Sequence, residues 1–265
     1  MIQIRRATLL FGLVCSFPVM AEPPLPFAMC YEDKQLLPYF VGEGKAVPDT
    51  HPGVAIEVLR LMAQERPEIA LSFRREPWKR CLAMLEVGEV SGVIASYKQS
   101  RHKIGVYPMQ GDEPDSNRAF EITRYCLYTK VDSGFRWNGQ RFEHLPELPV
   151  AVPLGYSIGD LFQNNHIGMT GVNSGDQGFF LLSHDRVAAT ATLCESGNQI
   201  LASHPEYQDI KANPVPLRVK GSYLLVSHPF YDQHSALVLK LWDTIVSINQ
   251  RFYQEIYQKY AKERD

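Results

Sequence analysis

Beyond its first twenty or so residues the chain has no long apolar run, and nowhere does it contain an internal repeat or a low-complexity tract. A membrane helix needs ~20 apolar residues, so no span is expected in the body of the protein. Absence of repeats excludes stacked-module architectures. Cysteine is scarce: Cys15 lies in the opening stretch, and Cys30, Cys81, Cys126 and Cys194 stand far apart. This spacing suits neither a disulfide scaffold nor a zinc site, and the expected role is that of small buried hydrophobes. Four cysteines also allow three disulfide pairings, between which the sequence does not choose. The eight histidines give no pair at metal-ligand spacing on an expected helix, so neither a metal nor a cofactor is assigned.

What is present begins at the N-terminus. Arg5 and Arg6 precede the apolar stretch Ala7 to Phe17, Pro18 breaks it, and Val19-Met20-Ala21 offers a processing pattern before Glu22. Residues 1–21 therefore read as a secretory signal peptide cleaved after Ala21. Val14 is large for the residue before a lipidated cysteine, so a product without a lipid on Cys15 is expected. Those 21 residues hold two arginines and no acid, and their removal leaves 244 residues with a net charge of −4. Nothing in that balance attracts nucleic acid. The length accommodates one large domain or two modest ones with real cores, and a monomer is expected.

Local patterns favour an α/β protein. Phe27 to Tyr31 reads as a first strand, and Ile56, Leu59, Met62 and Ala63 recur at helical spacing until Pro67. Ile69, Leu71 and Phe73 alternate as a half-buried strand. Pro77 opens a helix carrying Trp78, Cys81, Leu82 and Leu85 on one face, with Gly88 as its stop. Val90 to Tyr97 is another apolar strand. Strand and helix alternating in this way imply a parallel sheet with crossover helices. Ala119 to Thr129 is a long extended segment able to carry the chain out of one lobe. A second α/β unit starts with strand Val150 to Val152, a turn at Gly155 and a helix from about Ile158. Ser222 to Ser227, after Pro214 and Pro216, could carry the chain back, and an amphipathic helix through Val238, Leu241, Trp242, Ile245 and Ile248 closes it.

Several of these segments, taken together, are familiar. Gly53-Val54-Ala55-Ile56-Glu57, Pro77-Trp78-Lys79-Arg80, Ser91-Gly92-Val93-Ile94-Ala95, Ser100-Arg101 before Tyr107-Pro108, and the close Arg251 to Tyr260 resemble family 3 of the bacterial extracellular solute-binding proteins, the polar amino acid receptors of ABC importers. The resemblance implies a type II two-lobed fold with parallel-rich sheets and two crossing hinge strands. It places lobe one at 22–118 and 222–265, and lobe two at 119–221. It also implies a periplasmic location, a small solute bearing a carboxylate, and a transporter permease or a sensor as partner.

By that resemblance Arg101 is the first candidate for gripping the solute, since a guanidinium fork binds a carboxylate through two parallel charged bonds. Trp78 is expected to lay a ring against the solute, and Ser96 or Tyr97 to supply a hydroxyl. Asp33, with Glu32 beside it, is a candidate for an ammonium group. Gly155, Tyr156 and Ser157 form a strand-to-helix turn suited to an anion from lobe two. Relatives that bind α-amino acids hold the ammonium on an aspartate near Arg186 to Glu195, where this chain reads Ala188, Thr192 and Leu193, with Glu195 as the substitute in a shifted register.

Read without the resemblance, Gly155-Tyr156-Ser157-Ile158-Gly159 also fits the nucleophile elbow of a serine hydrolase, with Asp209 and His228 downstream in the right order. An exported enzyme on the same scaffold, this hydrolase or a small-acid lyase using Glu32 or Asp33, is the competing reading. No catalytic residue is assigned.

Overall fold

The computed structural model describes residues 23–261. The expected leader, its cleavage point and Cys15 lie outside the described residues. The first alternation is β1 (Leu25–Glu32), α1 (Val54–Glu65), β2 (Ile69–Glu76), α2 (Trp78–Glu86) and β3 (Gly92–Ser96). Helix α1 buries Val54, Ala55, Ile56, Val58, Leu59 and Met62, a stripe wider than the four positions read from spacing. Pro77 has extended angles and precedes α2 as its cap instead of occupying its first turn. At the other end Gly88 is needed, because its φ is +75° and an added Cβ would lie 2.9 Å from Cγ of Pro229.

A hairpin of β4 (Met109–Gln110) and β5 (Glu113–Pro114) fills the polar stretch around Gly111, and β6 (Glu121–Lys130) follows. A second hairpin, β7 (Arg136–Trp137) with β8 (Phe142–Glu143), leads into the next alternation. This comprises β9 (Val150–Pro153), α3 (Gly159–Asn164), β10 (Met169–Val172), α4 (Gly175–Ser183), β11 (Ala189–Leu193), α5 (Cys194–Ser203) and β12 (Ile210–Ala212). Finally β13 (Arg218–Val226) runs into the long α6 (His228–Ala261), which kinks at His234.

Nine of these strands share one sheet in the order β10-β9-β11-β6-β13-β3-β1-β2, with β12 paired to β6. At one side β2, β1 and β3 run parallel, and at the other β10, β9 and β11 do so. Between them β6 and β13 lie antiparallel to each other and to their neighbours. The molecule thus has two α/β lobes, and the sheet passes from one to the other through the two crossing strands. Both crossings overlap the extended segments read from the sequence, β6 closely and β13 with a start four residues earlier than expected.

The cysteines do more than fill the core. Cys30 of β1 is bonded to Cys81 of α2, and Cys126 of β6 to Cys194 of α5, one disulfide in each lobe. This corrects the expectation of free buried thiols. With sequence separations of 51 and 68, each closure would stabilise by about 4 kcal/mol in the chain-entropy account.

Candidate functional site

In open α/β sheets ligands collect beyond the carboxyl ends of parallel strands, and here those ends from both lobes converge. β1 ends at Glu32, β3 at Ser96 and β11 at Leu193, and all three line one cavity. Lobe one adds Trp78 from the start of α2 and Arg101 from a short 3-10 turn (Gln99–Lys103). Tyr156 comes from the turn after β9. The crossing strand β6 presents Glu121, Thr123 and Tyr125, every second residue and therefore one face.

Arg101 is only 5% exposed. Its Nη1 donates to the Ser96 carbonyl at 2.6 Å and its Nη2 to the Gly155 carbonyl at 2.8 Å, so one guanidinium spans the two walls. The guanidinium carbon also stands 5.6 Å from the centre of the Trp78 ring, within reach of its electron-rich face. Gly155 must be glycine for this approach, because its φ is +84° and an added Cβ would lie 3.2 Å from Cδ1 of Trp78.

Hydroxyl groups make the remaining bridge. Ser96 Oγ shares hydrogen bonds with Ser157 Oγ at 2.8 Å and with the Tyr125 hydroxyl at 2.9 Å, and Ser157 Oγ donates to Tyr125 at 3.3 Å. Tyr156 donates to Oε2 of Glu32 across the cleft at 2.8 Å. Burial pushes the Glu32 carboxyl up to about 7, against the lowering effect of the Tyr156 bond and with help from nearby Asp33. Lys98 and Asp160 pair at 2.8 Å at the rim, and Ser196 Oγ reaches the Leu37 carbonyl at 2.6 Å. The walls therefore touch at several polar points.

Not every residue singled out by sequence arrives at the cavity. Tyr97 packs on His102 and Tyr107 and donates its hydroxyl to Gln99, so Ser96 is the member of that pair on the wall. Asp33 stands with Lys34 and Lys79 at an outer opening, while its neighbour Glu32 points inward. Leu193 puts an apolar side chain on the wall, and Glu195 turns instead to Arg124, at 2.6 Å. The three residues of the hydrolase reading are not brought together: Ser157 bonds to hydroxyls, Asp209 pairs with Lys130, and His228 meets the His102 carbonyl.

Two charged positions at or beside the cavity were not singled out from the sequence. Glu121 lay inside a segment read only as a connector, although its period-two relation to Thr123 and Tyr125 puts it on their face. Arg75, 1% exposed at the end of β2, donates to the carbonyls of Glu32, Ala46 and Gly42 and lies 5.1 Å from the Tyr31 ring centre. An arginine beside Arg74 and Glu76 in a half-buried strand gives no sequence signal of burial.

This arrangement of two lobes, paired crossings and a cavity between strand ends defines the type II periplasmic-binding fold. A substrate-binding protein of an amino acid ABC transporter superposes with a TM-score of 0.67 at 19% identity, over 90% of this chain and 100% of that one. A histidine-bound ABC uptake transporter substrate-binding protein from Streptococcus pneumoniae gives 0.67 at 15% identity, over 90% and 93%. A histidine kinase sensor domain similar to periplasmic binding proteins gives 0.66 at 15%, over 90% and 96%. At these identities the likeness is one of fold. No family model and no curated sequence matches the chain.

Proposed function

We propose that this chain is an exported binding protein that closes its two lobes on a small carboxylate-bearing solute, an amino acid or a relative of one. Residues 22–118 and 222–265 form lobe one, residues 119–221 lobe two, and the loaded form passes its solute to an ABC-type permease or signals to a sensor. The observation that carries the reading is Arg101, a permanent cation buried on a cavity wall whose hydrogen bonds go to neutral carbonyls. Desolvating a cation costs several kcal/mol, and two carbonyls offset only part of it. A carboxylate entering beside Trp78 and Ser96 would complete the balance. Neighbours described as a transporter component and as a kinase sensor support the two fates. Export fits the leader-like residues 1–21, and among the described residues no helix is long and apolar enough to cross a membrane.

A thermal-shift screen of amino acids and small carboxylates tests this. A solute at 100 times its Kd should stabilise by ~2.7 kcal/mol, and a screen in which every small acid leaves the melting temperature unchanged would count against the reading. One observation favours a second reading, a small-acid lyase: Glu32, in the cavity and pushed up to about 7, is poised for proton transfer at neutral pH. Incubating a screened solute with the protein and following it by NMR separates the two, because a binding protein returns it unaltered.

A further inference from the structure

Glu32 stands at a boundary. With Trp78 it lines both the inner cavity and the outer opening, where Asp33 and Lys79 of lobe one meet Leu154 and Asn173 of lobe two. Glu32 is 8% exposed, and its carboxyl accepts at 2.8 Å from the hydroxyl of Tyr156, which belongs to the opposite lobe. The bond therefore lies between opening and cavity, and it exists only while the lobes are together. Parting them returns both groups to water.

Among the described residues no cation forms an ion pair with that carboxyl. Arg75 of β2 gives its donors to the carbonyls of Glu32, Ala46 and Gly42, and Arg101 gives its own to those of Ser96 and Gly155. Lys34 pairs with Glu43, and Lys79 at the start of α2 is exposed. Glu76 of β2 is occupied by Lys45, Arg74 and Arg80. Asp33 adds a like charge from β1 itself. The rest of the wall supplies another carboxyl, Glu121 of β6, and the phenols of Tyr125 and Tyr39.

We infer that the bond between Glu32 and Tyr156 is a proton-operated latch: with Glu32 neutral it holds the empty clamp shut, and ionisation of Glu32 lets the lobes part. What the latch regulates rests on the solute-binding reading. A carboxylate kept inside the closed cleft has one phenol in place of its water, whereas the open cleft hydrates it fully. Burial accordingly raises Glu32 from the ordinary 4.5 to about 7, against the lowering effect of the Tyr156 bond. Because the closed form binds the proton more tightly, the preference for closure is full below about 4.5 and is lost as pH rises through about 7. Between pH 5.5 and pH 8.5 the closed-to-open ratio should fall roughly thirtyfold. A solute enters through the open form, so capture should be faster on the alkaline side, and compaction on loading is greatest there.

Small-angle scattering of the solute-free mature protein at pH 5.5 and pH 8.5 tests the latch without any ligand. We expect a smaller radius of gyration at pH 5.5, a change opposite in sign to acid unfolding. Glu32→Gln keeps an acceptor for Tyr156 and has no charge to gain, so it should stay compact at both pH values. Tyr156→Phe removes the donor and should be less compact than wild type at pH 5.5. An equal radius for wild-type protein at the two pH values would overturn the latch. So would a wild-type pH response in Glu32→Gln, or a Tyr156→Phe variant indistinguishable from wild type. Once a solute is in hand, its association rate should fall by up to about thirtyfold from pH 8.5 to pH 5.5 and lose that dependence in Glu32→Gln. Failure of every acid in the screen, with the pH response of the empty protein intact, would remove the solute-binding reading and leave the latch standing.

Discussion

Two arginines are buried in lobe one, Arg75 near the end of β2 and Arg101 in the 3-10 turn that follows β3, and the contrast between their surroundings separates architecture from recognition. Arg75 spends its guanidinium on three carbonyls and a tyrosine face, and these contacts tie the segment from Gly42 to Ala46 onto the sheet. Arg101 makes two carbonyl bonds and stacks near Trp78, and a cavity opens beside it. Burial is alike, at 1% and 5% exposure. What differs is whether unfilled space adjoins the charge. A buried cation enclosed by protein holds the fold, whereas one facing a cavity has donors left for a visitor.

The contrast is sharpened most by Arg101→Ala, which would leave a bound carboxylate without its partner. A loss of about 2 to 5 kcal/mol is expected, or roughly 30-fold to several thousand-fold in Kd by calorimetry. Arg101→Lys should recover only part, since an ammonium keeps the charge and not the fork. Because Arg101 also bridges Ser96 and Gly155, a small drop in melting temperature should accompany the loss.

Arg75→Ala is the opposite case. Losing three charge-assisted bonds should cost about 3 kcal/mol of stability, which corresponds to a fall of roughly 6 to 12 °C in Tm for a chain of this size. Affinity should stay within about threefold, as only the Glu32 carbonyl connects Arg75 to the cavity. A variant in which affinity collapses while Tm holds would erase the distinction drawn between the two arginines.

The smallest expected effect belongs to Ser157→Ala. Its hydroxyl joins Ser96 and Tyr125 across the closed walls, worth about 1 kcal/mol, so a solute should bind about fivefold more weakly with Tm nearly unchanged. Full reactivity of wild-type protein toward a fluorophosphonate probe, lost in this variant, would revive the hydrolase reading.

Much of lobe one was legible because its periods are clean: the α1 stripe, the alternation Ile69, Leu71, Phe73 and the stop at Gly88 all reappear. The crossings were legible as long extended segments, though their true bounds, Glu121–Lys130 and Arg218–Val226, depend on pairing partners far away in sequence. The disulfides were hidden for the same reason, since pairing is set by the approach of β1 to α2 and of β6 to α5. At the site, the sequence order of Glu32 and Asp33 does not reveal which one faces inward. That depends on the phase of β1 against β2 and β3, where a shift of one residue exchanges the faces. Tyr97 illustrates the same point at the end of β3, one residue past Ser96 and outside the cavity.

The central claim is that two lobes close on a small solute. The contacts Glu32 to Tyr156, Ser96 to Ser157 and Lys98 to Asp160 span the cleft, and they must part for a solute to enter. Small-angle scattering of the mature protein, with and without a saturating solute from the screen, examines that motion directly. The account predicts a smaller radius of gyration in the loaded state, and an unchanged radius at a concentration where calorimetry shows full occupancy would contradict it.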